Sequence, residues 1–97
     1  MPKGYWIANN IVHDAKKYED YKALNAVAFA TYGAKFLVRG GAQQDREGSV
    51  FPRTVVIEFP TYQAAVACYE SPEYKTALDV RLGVAEGNLT IVEGYEG

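Results

Sequence analysis

The sequence has one cysteine, one histidine and no long apolar run. Because Cys68 has no partner within the chain, an intramolecular disulfide is excluded. No stretch approaches the roughly 20 apolar residues that a membrane-spanning helix needs. The opening residues, MPKGYWIANNI, also lack the charged and then apolar layout of a signal peptide. The sequence therefore predicts a cytoplasmic protein with no membrane partner.

Clustered charge is absent as well. The ten Lys and Arg residues are scattered among twelve Asp and Glu residues, and the formal net charge is −2. Binding to nucleic acid or to an anionic membrane needs a basic patch, so we expect neither partner. One histidine allows no Ser-His-Asp or Cys-His arrangement, and neither a P-loop nor GxGxxG occurs. We expect no metal site, and any catalysis would be cofactor-free.

A chain of 97 residues predicts one domain, spanning residues 1–97. Chains of this size bury only about 60 to 68% of their unfolded surface, so the core is thin. Association with a second copy would stabilise such a domain.

The hydrophobic period alternates between two and about 3.6, which separates strands from helices. We predict a helix over residues 15–32, a short helix that follows Thr61 and ends at about Glu70, and a third that begins at Pro72 and ends near Glu86. We predict strands over residues 4–12, 35–39, 53–59 and 88–93. The caps are Asp14, Thr61 and Ser71 at the helix N-termini and Gly33 and Gly87 at the C-termini. The polar stretch at residues 41–52 is predicted to be a loop.

This order of elements predicts the fold. Short connections and right-handed crossovers favour a four-stranded antiparallel sheet with its helices on one face, the ferredoxin-like plait of the α+β class.

Alternation along the strands also predicts two faces of the sheet. The set expected to face the helices is Ile7, Phe36, Val38, Val55, Ile57, Phe59, Leu89 and Ile91. The set expected on the opposite face is Trp6, Ala8, Asn10, Lys35, Leu37, Arg39, Thr54, Val56, Glu58, Thr90 and Val92. This second set is too apolar to be left in water and too polar for a dry core. We therefore expect a homodimer that joins these faces and encloses a partly polar chamber.

Three segments carry a resemblance: YGAKFLVRGG, RTVVIEFPTYQAAVACYESPEYKTALDVR and the closing IVEG. In this order and spacing, the chain resembles the family of domain of unknown function 1330 (DUF1330), in the dimeric alpha-beta barrel superfamily. The resemblance implies a ferredoxin-like protomer and a dimer joined through its sheets. The superfamily includes cofactor-free monooxygenases, lactone isomerases, haem enzymes and small stress proteins, so the resemblance implies no single reaction.

Arg39 is the first candidate for ligand binding. Its guanidinium is always charged and offers five donors in a fork that suits a carboxylate or phosphate. Gly40 and Gly41 would let the backbone approach a bound group closely. Alternatively, Arg39 forms an ion pair or extends into water, and the glycines only open the loop.

Arg81 shares a helical stripe with apolar residues and is the second candidate, although its stem could simply pack on the core. The further ligand-binding candidates are Asn10, Trp6, Tyr32, Tyr69 and Tyr74, of which the tyrosines at helical spacing are more often core residues.

Two residues are candidates for catalysis. Glu58 could act as a general base if it were buried, whereas a cross-strand ion pair with Lys35 would explain it without catalysis. His13 is the only histidine of the chain and a candidate acid or base, but it lies at a strand-to-helix turn that is typical of the surface.

Taken together, these residues predict a homodimer that binds a small, anionic organic molecule in a pocket near Arg39. The alternative is a dimer without a small-molecule ligand, whose arginines form ion pairs between subunits.

Overall fold

The computed structural model describes residues 2–96, which form four strands and three helices. The strands are β1 (Gly4–Val12), β2 (Lys35–Arg39), β3 (Arg53–Phe59) and β4 (Ala85–Glu93). The helices are α1 (Ala15–Tyr32), α2 (Tyr62–Glu70) and α3 (Pro72–Leu82). The strands form one antiparallel sheet in the order β2-β3-β1-β4, and the helices pack on one of its faces. The predicted ferredoxin-like plait is confirmed.

The helix ends follow the local chemistry of the sequence. The Asp14 side chain accepts a hydrogen bond from the Lys17 backbone N–H at 3.0 Å, as an N-cap does. Gly33 ends α1 with a φ of 71°, a left-handed conformation that glycine adopts at little cost. Ser71 caps α3, and Pro72 occupies its first turn. These predicted boundaries are confirmed.

The predicted boundary between the last helix and β4 is wrong. The helix ends at Leu82 rather than near Glu86, and β4 begins at Ala85 rather than at residue 88. Ala85 continues the apolar spacing of α3, but it pairs with Val12 at the end of β1. Gly87 does not end a helix, because it lies within β4 opposite Asn10. Pairing along the whole of β1 overrides the helix propensity of residues 85 and 86.

The predicted faces of β1 are reversed. Trp6 pairs with Ile57 of β3 and with Ile91 of β4, and directly paired residues project to the same side of a sheet. Trp6, Ala8 and Asn10 therefore face the helices, whereas Ile7 lies on the other face. Alternation separates the two sets within a strand, but it does not say which set the helices cover.

A bulge in β2 causes a second correction. Phe36 pairs with Ile57, but Val38 pairs with Val56 because the register shifts between Phe36 and Val38. After the shift, Arg39 pairs with Val55. Arg39 is thus moved to the helix side of the sheet, and Val38 is moved to the opposite side.

Trp6 is the centre of the core between sheet and helices. It is 1% exposed, and its indole Nε1–H donates a hydrogen bond to the Ala65 backbone oxygen at 2.9 Å. Its ring makes edge contacts with Phe29 at 5.3 Å and with Tyr74 at 4.8 Å between centroids. Such aromatic pairs stabilise a core by about 0.5–1.5 kcal/mol each beyond their buried area. The position of Trp6 therefore holds α1, α2 and α3 against β1.

Gly87 provides a test of the β4 register. A Cβ added there would overlap the Asn9 carbonyl oxygen and lie 2.7 Å from the Asn10 Cα atom, which are both parts of β1. Since the strand backbone would have to shift, we expect Gly87→Ala to lower the free energy of unfolding by about 1–3 kcal/mol, measured by urea denaturation. Gly41→Ala is the control, because no atom lies within 4 Å of the added methyl group. Equal stability of the two variants would contradict the register.

Candidate functional site

A cavity of about 30 Å³ lies between the sheet and α1. A water molecule needs about 10–15 Å³ of such space, so the cavity has room for a carboxyl group and little more. Its lining residues are Trp6, Ala8, Asn10, Tyr18, Tyr21, Lys22, Asn25, Phe36, Arg39, Arg53, Val55, Ile57, Arg81 and Leu89. This cavity lies within one chain, on the helix side of the sheet. It is therefore different from the predicted chamber, which would lie between the sheets of two subunits.

Helical spacing explains the contribution of α1. Tyr18, Tyr21, Lys22 and Asn25 follow one another at intervals of three, one and three residues, so they share one face of the helix. The opposite wall comes from residues of all four strands that project from the helix side of the sheet, and Arg81 is added from α3. The cavity is thus built from one face of α1, one sheet face and one side chain of α3.

The cavity lining carries positive charge. Lys22, Arg39, Arg53 and Arg81 line it, and no Asp or Glu of residues 2–96 does so. Lys22 is neutralised by Glu19, with 2.6 Å between Nζ and Oε2. Within that same span, none of the three arginines forms an ion pair. The site therefore attracts anions.

Each arginine lies over an aromatic ring. The guanidinium carbon of Arg39 is 4.1 Å from the centroid of Phe36. Arg53 donates a hydrogen bond from Nη1 to the Tyr18 hydroxyl oxygen at 3.0 Å. Arg81 lies 5.9 Å from the ring centroid of Tyr21. Cation–π contacts orient a guanidinium while its N–H donors stay free for another partner.

Two polar atoms of this lining are buried without a hydrogen-bond partner: Oδ1 of Asn10 and Nε of Arg81. Asn10 is only 5% exposed. A buried polar atom without a partner costs about 1–3 kcal/mol. One of these atoms is a neutral acceptor and the other is a charged donor, and both belong to residues that line the cavity.

Two hydrogen-bonded phenols lie behind the cavity. The hydroxyl groups of Tyr21 and Tyr74 are 2.8 Å apart. Burial raises the pKa of both phenols above the usual value, so both remain protonated at neutral pH. For Arg81, burial lowers the pKa, but the neighbouring Tyr74 and Tyr21 raise it by more. The guanidinium therefore keeps its charge against neutral phenols.

A shallow groove adjoins the cavity and shares Tyr18, Lys22 and Arg53 with it. Lys16 and Glu19 lie along this groove on α1. Because it is open to solvent, the groove gives a ligand a route to the cavity, past a predominantly positive surface.

Four of the predicted ligand-binding residues line the cavity: Trp6, Asn10, Arg39 and Arg81. Tyr74 does not line the cavity, but its hydroxyl group is hydrogen-bonded to that of Tyr21, which does. Tyr18, Lys22, Asn25 and Arg53 also line the cavity and are not among the predicted ligand-binding residues. The sequence does hold a signal for three of them, because the polar residues Lys22 and Asn25 share a face of α1 with the apolar positions Tyr18 and Tyr21. Arg53 could have been found from its pairing with Asn10 across the sheet.

The remaining candidates lie elsewhere. Glu58 projects from the face opposite the helices, where its Oε1 lies 3.4 Å from Lys3 Nζ and accepts a hydrogen bond from the Tyr5 hydroxyl at 3.4 Å. His13 is exposed at the turn between β1 and α1, with its Nε2 3.6 Å from Glu86 Oε1. Tyr32 is half-buried at the end of α1.

Tyr69 and Cys68 belong to the core on α2. Tyr69 packs on Trp6 at 5.7 Å between centroids. Burial raises the pKa of the Cys68 thiol to about 12, so it is protonated and unreactive at neutral pH.

The backbone conformation and the neighbouring Arg53 explain why position 40 is a glycine. Its φ is 71°, and an added Cβ would lie 3.2 Å from the Arg53 Nε atom. A glycine here leaves space for the Arg53 side chain beside the cavity, whereas Gly41 has open space around it.

Within residues 2–96, no group of three His, Cys, Asp or Glu side chains is placed to hold a metal ion. Over the same residues, no helix is both long and apolar enough to span a bilayer.

Residues 3–95 match the family described as Domain of unknown function (DUF1330). The match covers almost the whole chain, so this protein belongs to the DUF1330 family. A comparison with curated proteins gives no match.

Solved structures share the fold. A protein of unknown function from Rhodopseudomonas palustris, RPA0582, is 15% identical with a TM-score of 0.79, and the alignment covers 99% of this chain and 85% of that one. SnoaB, a cofactor-independent oxygenase from Streptomyces nogalater, is 14% identical with a TM-score of 0.63, over 100% and 97% of the two chains. A dimeric ferredoxin-like protein from Thermobifida fusca is 15% identical with a TM-score of 0.59, over 95% and 89%.

The raised pKa of Tyr74 predicts a loss of stability in alkali. The unfolded chain releases the phenolic proton near pH 10, before the folded protein does, so stability falls as the pH rises above about 10. We expect Tyr74→Phe to make this decline less steep, by up to about 1.4 kcal/mol per pH unit. The measurement is the free energy of unfolding as a function of pH.

Tyr95→Phe is the matched control, because Tyr95 is 95% exposed. Its slope should equal that of the unmodified protein. If Tyr74→Phe also leaves the slope unchanged, the phenol is not held protonated by its surroundings.

Proposed function

We propose that this protein binds a small organic anion, such as a carboxylate, in the cavity between the sheet and α1. The observation that supports the proposal most strongly is the charge of the lining, because Arg39, Arg53 and Arg81 border the cavity and no carboxylate of residues 2–96 pairs with them. Arg81 is half-buried beside the phenols of Tyr21 and Tyr74, so an anion in the cavity would stabilise its charge.

The other cations support the same ligand class. Arg39 and Arg53 lie on the side of the cavity formed by β2 and β3, and both keep guanidinium donors free because they rest on aromatic rings. A carboxylate can accept two parallel hydrogen bonds from one guanidinium, which gives both affinity and orientation.

The apolar lining supports an organic ligand rather than an inorganic ion. Trp6, Phe36 and Ile57 present carbon surface to the cavity. This surface would pack against the carbon atoms of the ligand, whereas phosphate or chloride would gain nothing from it.

The proposal concerns binding, and any reaction would be cofactor-free. SnoaB is a cofactor-independent oxygenase, but its 14% identity relates the folds alone. The alternative is a dimer without a ligand, whose arginines form ion pairs between subunits. Arg53 and Arg81 line a cavity under the helices of one chain rather than the sheet face that the helices leave uncovered, which favours a ligand.

Acetate and propionate provide the test of anion binding, with affinities measured by isothermal titration calorimetry at low salt. A hydrogen bond to a charged group is worth about 1.5–3 kcal/mol, so we expect Arg81→Met to weaken binding by about ten- to a hundredfold. Methionine keeps the length of the side chain and removes its charge.

Arg46→Met is the control, because Arg46 lies exposed in the loop between β2 and β3. It should leave the affinity unchanged. Failure of the unmodified protein to bind either acid at millimolar concentration would overturn the proposal, and so would equal loss in the two variants.

We propose, second, that the protein forms a homodimer through the sheet face that the helices do not cover. We call this the open face, and its residues are Tyr5, Ile7, Asn9, Ile11, Lys35, Val38, Thr54, Val56, Glu58, Glu86, Asn88, Thr90 and Val92. Ile7, Val38 and Val92 are each 40% exposed. Adjacent exposed apolar side chains on a sheet favour association.

The dimensions of the chain and one related structure support this assembly. The chain measures 37 × 36 × 17 Å, which is one sheet and one helical layer, so the open face is broad and flat. The Thermobifida fusca protein of the same fold is a dimer. A second copy would bury the apolar centre of the open face and leave its polar margin wet.

Ile7→Lys tests this interface. Ile7 pairs with Val56 and Thr90, so it lies at the centre of the open face. We expect the unmodified protein to sediment as a dimer at micromolar concentration and Ile7→Lys to sediment as a monomer, because the lysine charge would lose its water in the interface.

The matched control is Leu82→Lys. Leu82 is 66% exposed at the end of α3, in the helical layer, so this variant should remain dimeric. A monomeric unmodified protein would rule out the assembly.

A further inference from the structure

We infer that the bound anion is a linear dicarboxylate, such as glutarate, whose first carboxylate lies in the cavity and whose second carboxylate lies in the adjoining groove, beside Lys16 and Arg53. This assignment rests on the proposed function, because the first carboxylate occupies the site described above, and it extends the ligand into the groove.

The cavity and the groove differ greatly in size. The cavity has about 30 Å³ of free space, which a carboxyl group fills, whereas the groove has about 490 Å³. Tyr18, Lys22 and Arg53 line both spaces, so the two spaces meet at these residues. A ligand whose carboxylate enters the cavity therefore extends the rest of its length into the groove.

The lining of the groove is positively charged. It contains Lys16, Lys22 and Arg53, and Glu19 is the one carboxylate that residues 2–96 contribute to it. Lys22 pairs with Glu19 at 2.6 Å, whereas Lys16 and Arg53 form no ion pair within the same residues. These two cations favour an anionic end of the ligand over a neutral or cationic one.

The groove also has carbon surface, which favours a chain of methylene groups. Tyr18 is buried and Val12 is half-buried where they border the groove, and Ala15 adds a methyl group. Lys16 precedes Lys22 by six residues, which is about 9 Å along α1 at the usual rise of a helix. Several carbon atoms therefore separate the two carboxylates.

Glutarate, pentanoate and 5-aminopentanoate form a matched set of probes. They differ only in whether carbon 5 is a carboxylate, a methyl group or an aminomethyl group. We expect glutarate to bind about three- to tenfold more tightly than pentanoate, as two contacts between solvent-exposed charges provide. 5-Aminopentanoate should bind more weakly than pentanoate, because its ammonium group is repelled. The affinities are measured by isothermal titration calorimetry at low salt on the full chain.

Lys16→Met tests the cation assigned to the second carboxylate. Lys16 lines the groove but not the cavity, so pentanoate should bind unchanged. The affinity for glutarate should fall about two- to fivefold, as the loss of one exposed charge pair implies. Lys17→Met is the matched control, because it removes the same charge one residue along α1 and Lys17 lines neither space. It should keep the preference for glutarate.

A second measurement needs no variant. The backbone amide signals of Ala15 and Lys16, followed by NMR in the unmodified protein, should shift with glutarate well beyond their shift with pentanoate. The amide signal of Lys75, which is exposed on α3 and borders neither space, should not distinguish the two acids.

The outcomes separate the dicarboxylate from the proposed function. A preference for glutarate no greater than the statistical advantage of its two equivalent carboxylates would overturn the dicarboxylate and leave anion binding intact. Equal losses in Lys16→Met and Lys17→Met would do the same. Absence of binding by acetate, propionate and all three five-carbon acids would overturn both.

Discussion

The pairing of Trp6 with Ile57 and Ile91 is the constraint on which the rest of the structure depends. It places the largest side chain of β1 beneath the helices, where its indole donates to the backbone of α2 and its ring contacts α1 and α3. The same register places Asn10, four residues further along, beneath the first turns of α1. A shift of one residue would expose Trp6 and remove Asn10 from the cavity.

This register also explains why a small cavity can be polar in so thin a protein. The aromatic residues fill the space around Trp6, while beyond them α1 presents Tyr18, Lys22 and Asn25 to the sheet. The guanidinium groups of Arg39, Arg53 and Arg81 complete the wall without a lining carboxylate of residues 2–96. The resulting excess of positive charge and donors supports the proposal of an anionic ligand.

The elements and their order could be predicted from the sequence, because local chemistry determines them: Asp14, Thr61 and Ser71 cap helices, and the 41–52 loop has no apolar period. The end of α3 could not be predicted from the sequence, because Ala85 and Glu86 favour a helix and only their pairing with β1 makes them a strand. The faces of β1 were reversed because Trp6 and Ile7 both suit a core. The β2 bulge, which moves Arg39 to the helix side, has no signal in KFLVR that alternation could detect. The sequence still indicates Arg39, Arg81, Asn10 and Trp6 as candidates, because a charged or amphipathic residue among apolar neighbours is unusual, and all four line the cavity.

The most direct measurement of the central claim is the NMR signal of the Arg81 Nε–H group during titration with propionate. Binding of a carboxylate to the guanidinium should move this signal strongly and saturably, while the Nε–H signal of Arg46 in the exposed loop stays unchanged. An Arg81 signal that does not respond, or that follows Arg46 as the salt concentration rises, would contradict the account.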